Sequence, residues 1–335
     1  MNPVVGSEIS VSPRSKGILD ALKAVSDETR LRILHILSLG AFSVNEVVEI
    51  LGMGQSRVSR HLKILTEAKV IRSRREGSLV YSYLPDVSLL EQESFRYYQE
   101  LSSLLLSYRE DLPFWQRDLR MVHQILEQRE RKSKGFFDRI AKDWESLQGE
   151  VLHPKLYRSW ILEQLPNQLS TIVDLGCGPG GLIPYLLPKA KQLLGVDSSA
   201  NMIEEAQSLI GNNQNVQFVQ AQLESIPMPD ASVDAVVSSM VLHHISHPPA
   251  VLDEVHRILK PDGILCIVDL EKHNQEMMRD NFADLWLGFE PELLESWLTN
   301  SGFSVEFTES IKTESIFKIL TIKAKKRGGQ NVPSN

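Results

Sequence analysis

A buried-strand pattern that runs directly into a glycine-rich loop constrains this chain most. The segment TIVDLGCGPGG, residues 171–181, carries an apolar run through Asp174 and then places Gly176, Gly178 and Gly180 at alternate positions. Glycines at the carboxyl end of a strand let the backbone approach a ligand closely. The loop satisfies both G-x-G-x-x-G, the dinucleotide pattern, and G-x-G-x-G, so the glycines alone do not identify the ligand.

From about residue 170 the sequence alternates between strands and helices. TIVDL, QLLGVD, VQFVQ, VDAVVSS and GILCIVDL read as buried strands, and helical patterns such as NMIEEAQSLI and PAVLDEVHRIL lie between them. FSVEFTES and SIFKILTIKAK then read as a strand pair. Five βα units followed by a β-hairpin predict a doubly wound α/β sheet.

Residues 18–84 have a different pattern, typical of short helices followed by a hairpin. Asp27 is placed to cap a helix, and Ser43 with Glu46 fits a capping box. In the segment GMGQSRVSRHLKILTEAKVI, Val58, Leu62 and Leu65 form one apolar stripe at helical spacing.

The charge is distributed unevenly between these two parts. The 335 residues include 36 Lys and Arg against 43 Asp and Glu, a net of −7. Residues 1–85 alone have a net of +4, and residues 86–335 a net of −11. Such asymmetry is typical of a nucleic-acid-binding module joined to an acidic domain.

The remaining composition predicts a cytoplasmic protein. The two cysteines, Cys177 and Cys266, cannot form a disulfide framework. The first residues have no apolar core of a signal peptide, and no run of 18 apolar residues predicts a membrane span.

The N-terminal stretches LKAVSDETRLRIL, SVNEVVEILGMGQSRVSRHLKIL and EAKVIRSRREGSLVYSYL resemble the ArsR/SmtB family of bacterial repressors over about residues 16–85. The resemblance implies a winged helix-turn-helix that binds double-stranded operator DNA. A recognition helix needs one apolar face for its own core and one polar face for the major groove. The side chains expected to contact DNA are Gln55, Ser56, Arg57, Arg60, Lys63, Arg74 and Arg75.

The same resemblance implies a homodimer that pairs through its first and last helices. A stripe in the last helix is either that dimer face or ordinary core: Leu90, Tyr97, Leu101, Leu104 and Tyr108. Family members that sense metals use cysteines in the third helix or histidines in the last. VNEVVEIL and DVSLLEQESFRYYQELSSLLLSY have neither, so we expect no metal at those positions.

The C-terminal motifs VDLGCGPGG, LLGVD, IPMPDASVDAVVSSMVLHHI and RILKPDGILCIVD resemble class I S-adenosylmethionine-dependent methyltransferases over about residues 135–325. The similarity is greatest to enzymes that methylate quinones and other small molecules. It implies a Rossmann-like, seven-stranded sheet with S-adenosylmethionine as cofactor. The overall fold class is therefore α/β plus α+β.

The resemblance assigns cofactor roles to residues at the strand ends. Asp174 and Gly176 would lie near the methionine amino group, and Asp197 would accept both ribose hydroxyls, as a two-oxygen carboxylate can. Gln222 stands where relatives usually carry an Asp for the adenine amino group, and Pro179 where many carry Thr. The full predicted cofactor set is Asp174, Gly176, Gly178, Gly180, Asp197, Ser198, Met202, Gln222, Leu223 and Ser239.

His243 is the candidate general base, because it most closely follows the fourth strand of the sheet. A histidine that packs or caps near a loop explains it equally well. His243, His244 and His247 lack a known metal-ligand spacing, so no metal is predicted. The aromatic residues Phe136, Phe137, Trp144 and Tyr157 match the cofactor lid of the family, although some of them must be core.

The predicted domains are a winged helix-turn-helix (1–85), a helical dimerisation or linker segment (86–134), a methyltransferase domain (135–325) and a disordered tail (326–335). Two functions fit: a DNA-binding regulator with an active methyltransferase for a small-molecule acceptor, or a regulator whose second domain only senses S-adenosylmethionine or its demethylated product. A third, methylation of nucleic acid, ranks last. SSMVLHH stands where amino-directed DNA methyltransferases carry their signature.

Overall fold

The computed structural model describes residues 13–76, 78–85, 111–275 and 277–328. The chain divides into two compact units, residues 1–125 and 126–335. The division falls within one long helix, Trp115–Ile140, labelled α5 below. The predicted dimer-face stripe at 90–108 lies outside the described residues. Of the predicted tail 326–335, Lys326 ends a strand, and 329–335 also lie outside.

The first unit contains short helices and a small antiparallel sheet. In the described residues before α5, its helices are α1 (Pro13–Val25), α2 (Glu28–Leu37), α3 (Val44–Leu51) and α4 (Gln55–Glu67). Its strands, in the spatial order β1-β3-β2, are β1 (Phe42–Ser43), β2 (Arg72–Glu76) and β3 (Leu79–Tyr83). This is the predicted winged helix-turn-helix arrangement.

Local sequence signals set these helix boundaries. Asp27 caps α2, since its Oδ1 accepts the backbone N–H of Arg30 at 3.0 Å. Ser43 and Glu46 form the predicted capping box at the start of α3. Gly52, with φ +63°, ends α3 in the left-handed conformation that glycine favours.

Helix α4 packs through one apolar face. Val58, Leu62 and Leu65 are buried, as their spacing predicts, while the rest of the first three turns is largely exposed. The buried stripe fixes which side of the helix faces solvent. The wing strands β2 and β3 follow this helix and pair antiparallel from Arg72 to Glu76.

A buried ion pair joins α2 to the beginning of α5 within the first unit. Arg32 donates from Nε and Nη2 to the two carboxylate oxygens of Asp118, at 2.7 and 2.8 Å. Both residues are buried. Two parallel hydrogen bonds of this kind fix the geometry as well as the charge balance. The pair therefore sets where α5 starts against the helix-turn-helix.

The second unit is built around a seven-stranded sheet. Its strands are β4 (Leu169–Leu175), β5 (Ala190–Asp197), β6 (Val216–Gln220), β7 (Val233–Ser239), β8 (Leu259–Leu270), β9 (Phe303–Lys312) and β10 (Lys318–Lys326). The helices that follow α5 are α6 (Trp144–Val151), α7 (Lys155–Gln164), α8 (Ile183–Leu186), α9 (Ala200–Ile210), α10 (Pro248–Ile258), α11 (Met277–Phe282) and α12 (Pro291–Asn300).

The strand order is β6-β5-β4-β7-β8-β10-β9, in which the first five are parallel and the final hairpin antiparallel. The chain winds to one side of β4 through β5 and to the other through β7. A crevice forms at the carboxyl ends where the winding direction reverses. The predicted doubly wound, seven-stranded sheet is confirmed.

One detail of the prediction is wrong. Five βα units were expected, but residues 221–232, between β6 and β7, form turns without a helix. An ion pair anchors this connection, because Arg257 of α10 binds Glu254 and the backbone carbonyls of Ile226 and Met228. Among the described residues, no helix is long and apolar enough to cross a membrane.

The Arg32–Asp118 pair generates a stability prediction. Asp118→Ala leaves a guanidinium buried without its partner, so the first unit should lose about 3–5 kcal/mol of unfolding free energy. The double variant Arg32→Met with Asp118→Leu should lose much less, because neither charge remains. Urea unfolding of the full chain measures both losses.

The matched control is an exposed pair on the same helix. Arg131 and Glu127 lie 2.9 Å apart with side chains 78% and 57% exposed. Glu127→Ala should change stability by no more than about 1 kcal/mol. Equal losses for Asp118→Ala and Glu127→Ala would contradict the assigned role of the buried pair.

Candidate functional site

The glycine loop after β4 is held in a backbone conformation that glycine adopts without strain. Gly176 and Gly178 have φ of +65° and +53°. A Cβ on Gly176 would lie 2.6 Å from both Cγ atoms of Val241, so this position is also closed by packing. A Cβ on Gly178 would meet only Trp144, at 3.9 Å. The loop is therefore packed below Gly176 and open at Gly178.

Asp197 ends β5 and faces this loop. Its Oδ2 accepts the N–H of Gly178 and its Oδ1 the N–H of Ser199, both at 2.9 Å. Burial raises the pKa of Asp197, and hydrogen bonds from Ser199, Gly178 and Ser198 oppose that rise. Each carboxylate oxygen keeps lone-pair capacity for another donor.

Asp174 lies at the end of the neighbouring strand β4, fully inside the protein. Burial raises its pKa to about 7, Arg158 opposes the rise, and Asp197 adds to it. Its Oδ2 accepts no hydrogen bond from the described residues. A buried carboxylate without donors is costly, and a cationic ligand is the natural compensation.

These strand ends open into a cleft that encloses about 840 Å³ of empty space, including its mouth. Aromatic side chains form one wall: Phe137 from α5, Trp144 from α6 and Tyr157 from α7. Phe137 meets Trp144 edge-on, with 5.2 Å between ring centroids. The Tyr157 hydroxyl is buried and makes no hydrogen bond to the described residues.

Most of the predicted cofactor residues meet in this cleft. Asp174, Gly176, Gly178, Asp197, Ser198, Met202, Leu223 and Ser239 all line it. Gly180 and Gln222 do not. Gly180 packs on α9 instead, where a Cβ would lie 3.1 Å from the Cβ of Ala206. Gln222 sits in the turn after β6, where its carbonyl accepts the N–H of Ser225.

Three of the four aromatic residues predicted for the cofactor lid line the cleft. Phe136 does not line the cleft but packs edge-on against Phe137, with 5.3 Å between centroids. Arg158 and Glu145 also line the cleft, as an ion pair at 2.7 Å, and the sequence does not predict them. They lie on α7 and α6, before β4 and far from any motif, so no local signal marks them.

A second, apolar pocket adjoins the first and encloses about 360 Å³ of empty space. The two share Trp144, Gln148, Met240 and His244. The remaining lining residues are Leu152, His243, Leu270, Met278, Phe282 and Asp284. Apart from Gln148 and the cluster of His243, His244 and Asp284, the lining of this second pocket is apolar.

His243 is the predicted base and lies in this second pocket. Its Nδ1 is 2.5 Å from Oδ1 of Asp269, a buried residue at the end of β8. Its Nε2 is 3.8 Å from Oδ1 of Asp284. Burial alone would lower the pKa of His243, but the two carboxylates and the hydrogen bond from Nδ1 raise it to about 9.

The pKa of His244, beside it, is shifted in the opposite direction. Burial and the neighbouring His243 lower its pKa well below the usual value. The sequence analysis named His243 but not its partners, Asp269 and Asp284, which enter from β8 and from the segment after α11.

In the first unit, the predicted DNA-contacting side chains mostly face solvent. Those exposed are Gln55, Ser56, Arg57, Arg60, Lys63 and Arg75. Arg74 is half-buried, and its guanidinium carbon lies 5.3 Å from the centroid of the Tyr83 ring. Arg74 is therefore held against the wing.

The fold and cleft define a class I methyltransferase domain joined to a helix-turn-helix domain. The family described as methyltransferase domain matches residues 173–267, and the family described as bacterial regulatory protein, arsR family, matches residues 27–73. A 2-phytyl-1,4-naphtoquinone methyltransferase from Nostoc sp. is 31% identical over 160 residues, which are 44% of this chain and 69% of that protein.

Two further matches cover parts of the chain. An uncharacterized 37.1 kDa protein in a Streptomyces fradiae transposon is 32% identical over 113 residues, 32% of this chain and only 33% of that protein. A chain from the complex between the Haloferax volcanii Trm112 methyltransferase activator and a methyltransferase has the same fold. It has a TM-score of 0.50 and 20% identity, and the match covers 57% of this chain and 97% of that one. The chain belongs to the S-adenosylmethionine-dependent methyltransferases and carries an ArsR-family helix-turn-helix.

Gly176 and Gly178 make a matched pair for a prediction. Both have positive φ, so alanine strains both, but only Gly176 lacks space for a Cβ. Gly176→Ala should therefore cost about 1–3 kcal/mol more unfolding free energy than Gly178→Ala. Chemical unfolding of the second unit, followed by tryptophan fluorescence, measures the difference. Equal costs would show that packing against Val241 contributes nothing.

Proposed function

We propose that this protein is a DNA-binding transcriptional regulator whose second domain uses S-adenosylmethionine to methylate a small molecule. The observation that carries the enzymatic part is the buried carboxylate of Asp174, whose Oδ2 accepts no hydrogen bond from the described residues and which lines the cleft with Asp197 and the open glycine loop. Charge and shape there match an adenosyl ligand with a cationic amino group.

The residues of the cleft fit this cofactor group by group. Asp174 would pair with the ammonium of the methionine part, and Asp197 would accept hydrogen bonds from the ribose hydroxyls. Met202 and Leu223 would enclose the adenine. Arg158 is placed at the same cleft to bind the carboxylate, since a guanidinium binds carboxylates with two parallel hydrogen bonds.

The cofactor would supply an electrophilic methyl group on a sulfonium. The protein's work is then to hold the acceptor in line with that group and to exclude water, and such positioning can lower a barrier by several kcal/mol. Met240 lies in both pockets and so stands where methyl and acceptor would meet. The lining of the second pocket favours a small, largely apolar acceptor. Two of the curated relatives are named as quinone methyltransferases.

The predicted general-base role of His243 stays a prediction with one physical condition. With a pKa near 9, the imidazole is protonated at neutral pH and cannot accept a proton from the acceptor. A base role would require that the proton on Nε2 first be displaced.

The DNA-binding part rests on the exposed polar side of α4. Arg57, Arg60 and Lys63 are exposed beside Gln55 and Ser56, side-chain types that bind phosphates and base edges.

We also propose a homodimer. Ile18, Leu19 and Leu22 lie on one side of α1 and are 40%, 47% and 48% exposed, which suits a face that pairs with a second copy.

A sensor without catalysis is the alternative function. Gln222 does not line the cleft, so the hydrogen-bond acceptor that relatives offer to the adenine is absent from the expected position. A domain that binds the cofactor and transfers no methyl group would still regulate DNA binding. Turnover assays with small quinols and phenols separate the two functions, because only the enzyme releases S-adenosylhomocysteine.

Calorimetric titration with S-adenosylmethionine tests the cofactor proposal. Binding near one per chain is expected, and Asp197→Ala should weaken it strongly, whereas Asp253→Ala, an exposed carboxylate on α10, should not.

Asp174 has a pKa of about 7, so it is neutral and cannot pair with the ammonium below that pH. Affinity should rise roughly five- to tenfold from pH 6.0 to 7.5. Asp174→Asn should remove this dependence, and absence of binding would refute the proposal.

Mobility shifts on the DNA around the protein's own gene test the regulatory proposal. Arg57→Ala with Arg60→Ala should reduce affinity and lower the salt slope by about two, because each phosphate contact contributes about one. Lys23→Ala, an exposed cation on α1, is the control. Repeating the shifts with S-adenosylmethionine and S-adenosylhomocysteine measures any coupling. An unchanged salt slope in the double variant would contradict the recognition-helix assignment.

A further inference from the structure

The polar cluster of the second pocket has a geometry that the methyl-transfer proposal does not use. His243, His244 and Asp284 each offer one ligand atom, and these atoms lie within 4.8 Å of one another. All three residues are buried. Oδ1 of Asp284 is 3.8 Å from Nε2 of His243 and 3.6 Å from Nδ1 of His244. These separations are too long for hydrogen bonds.

The carboxylate of Asp284 gives the strongest indication that a ligand binds between these three side chains. Its side chain is 0% exposed, yet both carboxylate oxygens lack hydrogen-bond donors among the described residues. The nearest guanidinium, of Arg279, donates to the backbone carbonyls of Asp284 and Leu285. A buried carboxylate aimed at two imidazoles without hydrogen bonds is costly unless a cation binds there.

Asp269 orients His243 as the outer partners of metal-bound histidines do. It receives the Nδ1 side of the ring at 2.5 Å and also accepts the N–H groups of Leu242 and Leu270. With Nδ1–H directed to Asp269, the lone pair of Nε2 points toward Asp284. Carboxylate–histidine–metal arrangements fix the imidazole in this way.

We propose that His243 Nε2, His244 and Asp284 bind one divalent transition-metal ion of the zinc class. Two imidazoles and one carboxylate are a ligand set that Zn²⁺ takes in open sites. Bond lengths near 2.1 Å in a tetrahedron place ligand atoms about 3.4 Å apart. The distances from Asp284 Oδ1 to the two imidazoles, 3.6 and 3.8 Å, exceed this value by a few tenths of an ångström. All three ligand atoms lie within 4.8 Å of one another, so metal binding would also draw the two imidazoles together.

The fourth position of such an ion would face the apolar pocket that the three residues help to line. A hydroxyl or thiol bound there has a lowered pKa, so it loses its proton more easily. This consequence rests on the proposed methyltransferase function, whereas the metal site does not. The lowered pKa of a metal-bound group narrows the class of methyl acceptor to apolar molecules with a hydroxyl or thiol. The metal site also gives His243 the role of a ligand, which is compatible with the two nearby carboxylates of Asp269 and Asp284, because the ion would displace the proton from Nε2.

The sequence predicts no metal here, because His243, His244 and His247 as a local set lack a known ligand spacing. The third ligand is instead Asp284, forty residues further along the chain. The short turn Leu242–His244 and the segment after α11 bring it into place, and the backbone N–H groups of Leu285 and Trp286 donate to the His243 carbonyl at 2.9 and 3.0 Å.

The test is metal binding by the full chain, measured without any activity assay. Protein stripped with a chelator is titrated with Co²⁺, whose intense visible bands report four-coordinate nitrogen and oxygen ligation, and then with Zn²⁺ as competitor. We expect one Co²⁺ per chain, displaced by one Zn²⁺. Asp284→Asn and His244→Gln should each weaken binding at least a hundredfold, and Asp269→Asn, which removes no ligand, ten- to a hundredfold.

His153→Ala is the control, because His153 is an exposed histidine outside the cluster and its loss should leave binding unchanged. S-adenosylmethionine titration of every variant checks that the domain is folded. If Asp284→Asn does not fold, the wild-type spectrum and His244→Gln still decide. Absence of stoichiometric Co²⁺ and Zn²⁺ binding by the wild type, or equal binding by Asp284→Asn and His244→Gln, overturns the proposal. Cofactor binding without metal binding overturns only the metal site.

Discussion

Burial of negative charge at the carboxyl edge of the sheet is the constraint on which the site depends. Asp174, Asp197 and Asp269 end β4, β5 and β8, and Asp174 and Asp269 are almost completely buried. Parallel strands put these ends side by side, where winding to both sides of β4 leaves a crevice. Each carboxylate must find donors or a cation there. Asp197 and Asp269 accept hydrogen bonds from backbone N–H groups, whereas Oδ2 of Asp174 accepts none from the described part of the chain.

The way each carboxylate is compensated separates structural from ligand-binding roles. Asp269 receives three donors and serves to hold the Leu242–His244 turn and the His243 ring. Asp197 is held by two N–H groups and keeps acceptor capacity. Asp174 and Asp284, which have unpaired oxygens, are the positions where a ligand's positive charge lowers the free energy most. The proposed cofactor and the proposed metal ion would thus both compensate buried negative charge, in adjoining pockets.

The sequence predicts what local pattern determines. The helix caps at Asp27 and Ser43, the stripe through Val58, the order of strands and the position of the glycine loop all follow from residues close together in the chain. Eight of the ten predicted cofactor residues line the cleft for the same reason, since each lies at or a few residues after the carboxyl end of a strand.

What the sequence does not predict depends on contacts between distant segments. Arg158 and Glu145 reach the cleft from helices ahead of the first strand, and Asp284 reaches His243 across about forty residues. Gly180 fits the glycine pattern of the loop, but in the structure it packs against α9 and does not line the cleft. The turns at 221–232 replace a predicted helix because Arg257 and Glu254 hold them by side-chain hydrogen bonds.

Helix α5 has a consequence for dividing the chain experimentally. Its first turn carries Asp118, which neutralises Arg32 in the first unit, and its later turns carry Ser133 and Phe137, which line the cleft of the second. A fragment that stops before α5 leaves Arg32 buried without the carboxylate of Asp118, and one that begins after α5 lacks Ser133 and Phe137 of its cleft. Separately expressed halves therefore each need their own part of α5, the first the turn with Asp118 and the second the turns from Ser133 onward.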